Sequence, residues 1–512
     1  MQKVFVISVI GLLFLFLNCE GFAELKLAGI FGDNMVLQQN RDIKIWGTAQ
    51  AEEKISVICG WNTKPIGNPI AADLNGEWSV ILRTPQASGP YKITVMGSEN
   101  TVVIDNILIG EVWLCSGQSN MVMPMQGWEQ PVYQGEEEIK AADNNAIRLF
   151  IVPEKASDTP LKDVTGKWVV CKPETVKNFS AAAYFFGKEI NSKTGYPVGL
   201  IQSAFGGTFI HAWIRIESLE NDDQLHSTIE TSDKLYSNWK KQCEESRVAN
   251  LAIPPIPVKA RNIDRPAALY NAMIAPFTSF QIKGVIWYQG ESEADAQDAY
   301  QYRNLFPVLI NNWRCDFENF DMPFYFVQLA SFCGKHIPGQ QVNIYQGEPR
   351  NNSWAELREA QLRTCQMKNT GMAVTIDIGE TNNIHPCKKK DVGHRLALWA
   401  LANIYNKEID FSGPLYAGYR IERDKIRIFF KYAESGLISK GKLAGFAIAG
   451  KNRKFVWADA RIEKNTIIVS SKLISEPVAV RYGWDIYPKY SLYDTNNLPA
   501  SPFRTDDWVK GN

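Results

Sequence analysis

The chain has 512 residues, enough for about three domains, and its 45% hydrophobic content, with 15 Trp, 19 Tyr and 25 Phe, supplies ordinary packed cores. Lysine plus arginine and aspartate plus glutamate number 55 each, for a formal charge of zero. That balance gives no electrostatic reason to expect a nucleic acid or an anionic membrane as partner.

The N-terminus reads as a targeting segment. Lys3 provides a positive start, Val4 to Leu17 form an apolar run shorter than a bilayer span, and Gly21-Phe22-Ala23 supplies a small-x-small cleavage pattern. A secretory signal cut near Ala23 predicts a secreted or periplasmic protein. Cys19 offers lipoprotein anchoring as an alternative, although Asn18 before it fits a lipobox poorly. No later stretch is long and apolar enough to be a membrane span. Past the signal stand Cys59, Cys115, Cys171, Cys243, Cys315, Cys333, Cys365 and Cys387, an even count that permits disulfides without forming a dense framework. Cys115 fits a small core position in a buried strand. There is no C-x-x-C or H-x-x-x-H spacing, so a structural or catalytic zinc is not expected; no motif calls for another cofactor.

Residues 24–106 read as short β runs broken by turn residues. Ile43–Trp46 stops at Gly47, Ile55–Ile58 stops at Cys59-Gly60, and Trp78–Ile81 follows Asn75-Gly76; Tyr91–Val95 and Thr101–Ile104 complete a small antiparallel sandwich. Over 107–406 the rhythm becomes α/β. Apolar strands at Glu111–Cys115, Val198–Gln202, Gly284–Tyr288, Phe324–Gln328 and Ala373–Ile378 alternate with helical stretches at Ala181–Lys193, Ala355–Met367 and Val392–Ile404, the pattern of a parallel sheet covered by helices. The polar stretch 217–257, ending in Ile253-Pro-Pro-Ile-Pro257, reads as a lid-like insertion. From 407 to 512 β text returns as a second β-rich domain.

Four unusual strings follow predicted strands. Gly117-Gln118-Ser119-Asn120 comes after Val112–Cys115, and Ser203-Ala204-Phe205-Gly206-Gly207-Thr208 after Val198–Gln202. Gln289-Gly290-Glu291-Ser292 comes after Gly284–Tyr288, and Asn382-Asn383-Ile384-His385-Pro386 shortly after Ala373–Ile378. Singly, each is an ordinary turn or helix cap. Together at the carboxyl edge of one sheet they supply acyl transfer with a nucleophile, a base and oxyanion donors. Ser119 would attack an ester carbonyl, and His385 would take its proton and return it to the departing alcohol. The backbone N–H of Ser119, an N–H in the Gly206-Gly207 turn and the Gln289 amide are the candidate donors.

These strings resemble the sialate O-acetylesterases of the SGNH/GDSL hydrolase superfamily: Gly-Gln-Ser-Asn-Met at 117–121, Gly206-Gly207-Thr208 followed by Ala212-Trp213, Trp287 to Ser292, and Ile384-His385-Pro386 followed by Val392-Gly393. Phe31–Gln39, Leu269–Pro276, Leu357–Gln361, Val480–Trp484 and Leu498–Arg504 extend the likeness over nearly the whole mature chain. The resemblance implies a flavodoxin-like α/β/α SGNH hydrolase domain with flanking β-sandwich modules, removing O-acetyl groups from sugars without a metal. Acetylated sialic acid is the implied substrate. The same chemistry on acetylated xylan or another polysaccharide is an alternative, and a non-catalytic carbohydrate-binding protein of this fold is another. An α/β-hydrolase lipase is disfavoured because Met121 replaces the second glycine of G-x-S-x-G.

Superfamily members commonly carry D-x-x-H in the last string, whereas here Asn382 and Asn383 precede His385. Glu380 is the leading candidate for the third triad member, with Asp377, Glu291 and a serine–histidine dyad oriented by a backbone carbonyl as alternatives. A literal D-x-x-H occurs at Asp391–His394, but there Asp391 fits a residue at a helix start. His211 sits just after the glycine turn, where it would line a pocket; His226 and His336 default to surface or structural positions. Trp128, Trp213, Trp287 and Tyr288 are aromatic candidates for a sugar platform, with Trp287 better suited to the core. Arg215 is a candidate for a substrate carboxylate or a surface ion pair, and Glu291 for substrate binding.

Overall fold

The computed structural model describes residues 24–62, 68–296, 298–334, 349 and 351–508. The expected signal segment, Cys19 within it, and His336 lie outside these residues. Among the described residues no helix is long and apolar enough to cross a membrane, and no disulfide joins the cysteines.

A central sheet runs in the order Val169–Cys171, Asn144–Ile151, Val198–Ala204, Thr101–Gly117, Gly284–Tyr288, Phe324–Gln328, Thr370–Val374. Neighbours pair in parallel except the edge strand Val169–Cys171, which is antiparallel. The strands Val198–Ala204, Gly284–Tyr288, Phe324–Gln328 and Thr370–Val374 are buried along their whole length. Burial on both faces explains why they read as continuous apolar runs rather than alternating ones.

Aromatic side chains fill both faces of this sheet. On one, Trp113 meets Phe186 edge-on at 4.9 Å and stacks on Tyr325 at 6.0 Å, beneath the helices Ala181–Thr194 and Lys389–Asn403. On the other, Trp287 meets Trp313 at 5.7 Å and Trp213 at 6.1 Å, beneath the helix Ala299–Asp316. Such pairs contribute about 0.5–1.5 kcal/mol each beyond their buried area. Ser180 caps the first of these helices by accepting from the Ala183 N–H, and Asn352 caps Ser353–Thr364 by accepting from the Ala355 N–H. The Asn144–Ile151 strand and the Ala299–Asp316 helix were not anticipated from the amino-acid pattern.

The strand Thr101–Gly117 is 17 residues long and belongs to two modules. Its first part pairs with Ser88–Met96 in the N-terminal sandwich and its last part with the central sheet. The expected boundary at 106/107 therefore falls inside one strand. The change of rhythm read at Ile107 marks the point where this strand passes from alternating exposure to burial on both faces.

The last sheet strand is Thr370–Val374 rather than Ala373–Ile378. The chain leaves the sheet after Val374, where the Thr375 hydroxyl donates to the Gln328 carbonyl and Arg395 grips the Asp377 carboxylate with two hydrogen bonds of 2.6 and 2.9 Å. The polar segment 217–257 holds the 26-residue helix Asp223–Val248, in which only Leu225, Ser232 and Cys243 are buried. Its charge is a solvated helix surface, and the Trp239 indole N–H donates to the Pro254 carbonyl, folding the proline-rich return against that helix.

The C-terminal region forms two four-stranded antiparallel sheets, one built on Leu415–Glu422 and Lys425–Lys431, the other on Phe446–Gly450 and Pro477–Tyr482. Fully buried Arg358 ties this region to the central sheet. Its guanidinium donates to the carbonyls of Leu329, Ala330, Asp485 and Ile486 at 2.7–3.0 Å. Arg358→Leu removes the guanidinium donors to these carbonyls, of which Ile486 keeps only the Phe332 N–H, and is expected to lower unfolding free energy by about 3 kcal/mol or more, read by denaturant titration; an unchanged midpoint would show that Arg358 does not hold the C-terminal region.

Candidate active site

Three strands end on one row. Gly117 stands opposite Ala204 on one side and Tyr288 on the other, so the strings that follow them emerge side by side. Gly117 has φ of +137°, and a Cβ there would lie 2.1 Å from the Tyr288 carbonyl oxygen, so only glycine fits. The chain then turns into the one-turn helix Ser119–Val122.

Hydrogen bonds join each of the other three strings to the first. The Gln118 N–H donates to the Tyr288 carbonyl at 2.9 Å, and Gln118 Oε1 accepts from the Gly290 and Ser292 N–H groups at 3.3 and 3.4 Å. The Phe205 N–H donates to the Gly117 carbonyl at 3.1 Å. Asn120 Nδ2 donates to Glu291 Oε1 at 2.5 Å and to the Ile384 carbonyl at 2.9 Å, which brings in the histidine loop.

His385 Nε2 lies 2.9 Å from Ser119 Oγ. An imidazole that accepts the serine proton at Nε2 carries its own proton on Nδ1. The Trp128 ring packs edge-on against the imidazole at 4.7 Å, and Trp128 remains about half exposed. Burial, assisted by the nearby Lys389 ammonium, pulls the His385 pKa down to about 4. Beside Ser119 stands the glycine turn: a Cβ on Gly206 would lie 3.4 Å from the Ser119 Cβ. The N–H groups of Ser119 and Gly206 are not taken up by any acceptor among the described residues. The Ser119 hydroxyl, the His385 imidazole and the Gly206 turn therefore stand side by side, a set of groups that acyl transfer can use.

The other expected site residues hold different positions. Glu380 does not reach the imidazole; its carboxylate accepts from the Cys387 N–H at 2.8 Å and from Asn383 Nδ2 at 3.1 Å. Asp377 is taken by Arg395. No carboxylate hydrogen-bonds the His385 ring among the described residues. Gln289 is fully buried, and its amide nitrogen donates to the Thr208 carbonyl at 3.0 Å and to Glu293 Oε2 at 2.6 Å. Both protons are used, so Gln289 buttresses the glycine turn instead of facing an oxyanion. Gly207 is held from outside, its carbonyl accepting from Arg261 at 2.8 Å. Trp213 is fully buried with its indole N–H on the Thr208 hydroxyl, and Trp287 and Tyr288 are likewise core residues. Arg215 is paired with Asp316 at 2.6 Å and Glu217 at 3.4 Å. His211 is buried, its Nε2 2.7 Å from the Asp264 carbonyl oxygen. His394 pairs with Glu189 at 2.9 Å on the helix surface, apart from Ser119. Among the described residues, no group of three or more His, Cys, Asp or Glu is gathered as metal ligands.

Two buried polar residues, Lys389 and Glu293, escaped the amino-acid pattern, and Glu291, expected to bind substrate, instead accepts from Asn120. Lys389 is fully buried, with its ammonium on Asn120 Oδ1 and 5.1 Å from the centre of the Tyr288 ring. Burial lowers its pKa to about 7. Glu291 and Glu293 are buried as well, and desolvation raises each to about 7. Glu293 Oε1 accepts from the Ile210 N–H at 2.5 Å, bracing the segment after the glycine turn. The one available signal was the pair of glutamates opening the helix Glu291–Asp295 just after the apolar strand Gly284–Tyr288. Lys389 sits in a run of three lysines and reads as solvated.

The family described as carbohydrate esterase, sialic acid-specific acetylesterase, matches residues 109–253 and 240–401. The chain belongs to that family. It is 28% identical over 520 residues to the sialate O-acetylesterase of Mus musculus, covering 93% of this chain and 94% of that protein. To the sialate O-acetylesterase of Homo sapiens it is 27% identical over 520 residues, covering 93% and 92%. The crystal structure of a carbohydrate acetylesterase from Xanthomonas citri superposes with a TM-score of 0.81 at 34% identity, covering 94% of this chain and 100% of that one.

Were the neutral His385 imidazole the base of this carbohydrate esterase, activity should persist well below neutral pH. With His385 lowered to about 4, the imidazole loses its proton as pH rises through that value, so kcat/KM should climb through an inflection near there and be level towards pH 7. A pH profile on a soluble acetyl ester checks this, and an acid limb at or above the ordinary imidazole value of about 6.5 would contradict it.

Proposed function

We propose that this chain removes O-acetyl groups from sialic acids through an acyl-enzyme formed on Ser119. The observation that carries the reading is the 2.9 Å contact between Ser119 Oγ and His385 Nε2, at the strand-end motif of a family described as sialic acid-specific. Full-length likeness to two sialate O-acetylesterases supports the substrate. The doubly wound order of the Val198–Ala204, Thr101–Gly117, Gly284–Tyr288, Phe324–Gln328 and Thr370–Val374 strands supports a flavodoxin-like SGNH hydrolase domain, with Asn144–Ile151 added at one side.

In the proposed cycle Ser119 Oγ attacks the acetyl carbonyl while His385 Nε2 takes the serine proton. The Ser119 and Gly206 N–H groups receive the developing oxyanion; loss of one such donor typically costs about 10²–10³ in rate. Collapse breaks the bond to the sugar oxygen, which leaves as a hydroxyl carrying the proton from His385. Water then attacks the acetyl-serine with His385 again as base, releasing acetate and restoring Ser119. Trp128, half exposed beside His385, offers an apolar face to the incoming sugar. The segment Met1–Ala23 supports export, which would bring the enzyme to extracellular or periplasmic glycans.

A second substrate reading, an acetylated polysaccharide such as xylan, is equally compatible with the Xanthomonas citri neighbour, described as a carbohydrate acetylesterase. Acetate release from O-acetylated sialic acids and from acetylated xylo-oligosaccharides separates the two. Ser119→Ala and His385→Ala should each lower kcat/KM by at least about 10³-fold, while His394→Ala stays within about threefold of the parent. Activity surviving Ser119→Ala would refute the nucleophile, and preference for the xylan substrate would replace the sialate reading while leaving the mechanism in place.

A further inference from the structure

His385 is fixed on both sides of its own peptide unit. Its N–H donates to Asn383 Oδ1 at 2.9 Å, and its carbonyl accepts from Asn383 Nδ2 at 2.9 Å. The carbonyl of Ile384, just before it, accepts from Asn120 Nδ2 at 2.9 Å. Each amide is oriented in turn by charged groups that leave it one direction. Lys389 donates to Asn120 Oδ1, and Glu291 and the Ile384 carbonyl accept from Asn120 Nδ2. The Asn120 amide therefore cannot flip, and its second N–H is aimed at Ile384. Glu380 accepts from Asn383 Nδ2 and from the Cys387 N–H, so it fixes the second amide and the far end of the loop together.

Resting on the Ser119–His385 reading above, we propose that the imidazole is oriented through its backbone, with Asn120 and Asn383 as positioning residues in place of a carboxylate behind the ring. Lys389, Glu291 and Glu380 act one step further back by fixing those amides. The cost of burying Lys389 and Glu291 argues for such a use. An isolated buried ammonium or carboxylate costs several kcal/mol, and a well-packed apolar pair of similar size is often as stable. Here the two bracket one amide whose hydrogen bonds each polarise the others. With φ and ψ of His385 set by three hydrogen bonds, the ring needs only the edge of Trp128 and the serine hydroxyl to define its plane. Displacements of about 1 Å in such a pair can lower rates by about 10²-fold without touching the substrate.

Two near-isosteric substitutions test this. Asn120→Asp keeps the oxygen that Lys389 holds but loses the donor to Ile384; Asn383→Asp keeps the acceptor for the His385 N–H but loses the donor to its carbonyl. In each, kcat on a soluble acetyl ester should fall at least about tenfold with KM within about threefold, and reaction of Ser119 with an aryl phosphonate should slow in parallel. Rates are referred to sites titrated by the phosphonate, so partial unfolding of one variant does not mimic the effect, and the two loci test the idea independently. Both variants retaining the parent kcat would overturn the proposal and reduce these amides to loop packing. A fall expressed only in KM would overturn it too, placing them in substrate binding. Ser119→Ala, run alongside, separates the two claims. If it is inactive while both Asp variants are normal, only the backbone clamp fails; if it stays active, the Ser119–His385 reading itself fails.

Discussion

The in-register ending of three parallel strands governs the chemistry of this molecule. Because Gly117, Ala204 and Tyr288 lie on one row, the loops leaving them begin within hydrogen-bonding reach of one another. The left-handed backbone at Gly117 turns the chain sharply, so Ser119 presents its hydroxyl at the sheet edge instead of extending beyond it. A register shift of one strand would move an entire loop by a residue and reverse its side-chain directions. The aromatic layers on both faces and the whole-length burial of the flanking strands oppose such a shift.

Around that row, fully or largely buried polar side chains do the joining that apolar packing cannot. Gln118 sews the nucleophile string to Gly290 and Ser292, Gln289 and Glu293 brace the glycine turn, and Arg358 draws the C-terminal region onto the strand ends. Each is costly to bury unless its hydrogen bonds are met. Packing supplies affinity between layers without direction, whereas these bonds set where a loop sits to within a few tenths of an ångström. An esterase site assembled from four separate loops depends on that precision.

Much of this was legible in the chain before any coordinates. Continuous apolar runs ending in Gly-Gln-Ser-Asn, Gly-Gly-Thr and Gln-Gly-Glu-Ser identified the strands and the edge where they end, because burial on both faces and a loop at the carboxyl end each leave a compositional mark. What stayed hidden depended on contacts distant in sequence. Lys389 in Lys388-Lys389-Lys390 has the composition of a solvated turn, and only the fold turns it inward onto Asn120. Gln289, Trp213 and Arg215 stood in the right strings for ligand contact, yet their side chains point to Thr208 or to Asp316. The Asn-Asn pair before His385 looked like a lost acid; in three dimensions Asn383 brackets the histidine instead. Strand Thr101–Gly117 read as two pieces because its exposure changes midway although its backbone does not.

The central claim is that Ser119 is the nucleophile and that His385 makes it one. Trapping the enzyme with an aryl phosphonate and mapping the adduct by mass spectrometry tests it most directly. A single adduct is expected on the peptide carrying Ser119, formed rapidly by the parent and lost in His385→Ala. An adduct on another residue, or equal labelling of Ser119 without His385, would contradict it.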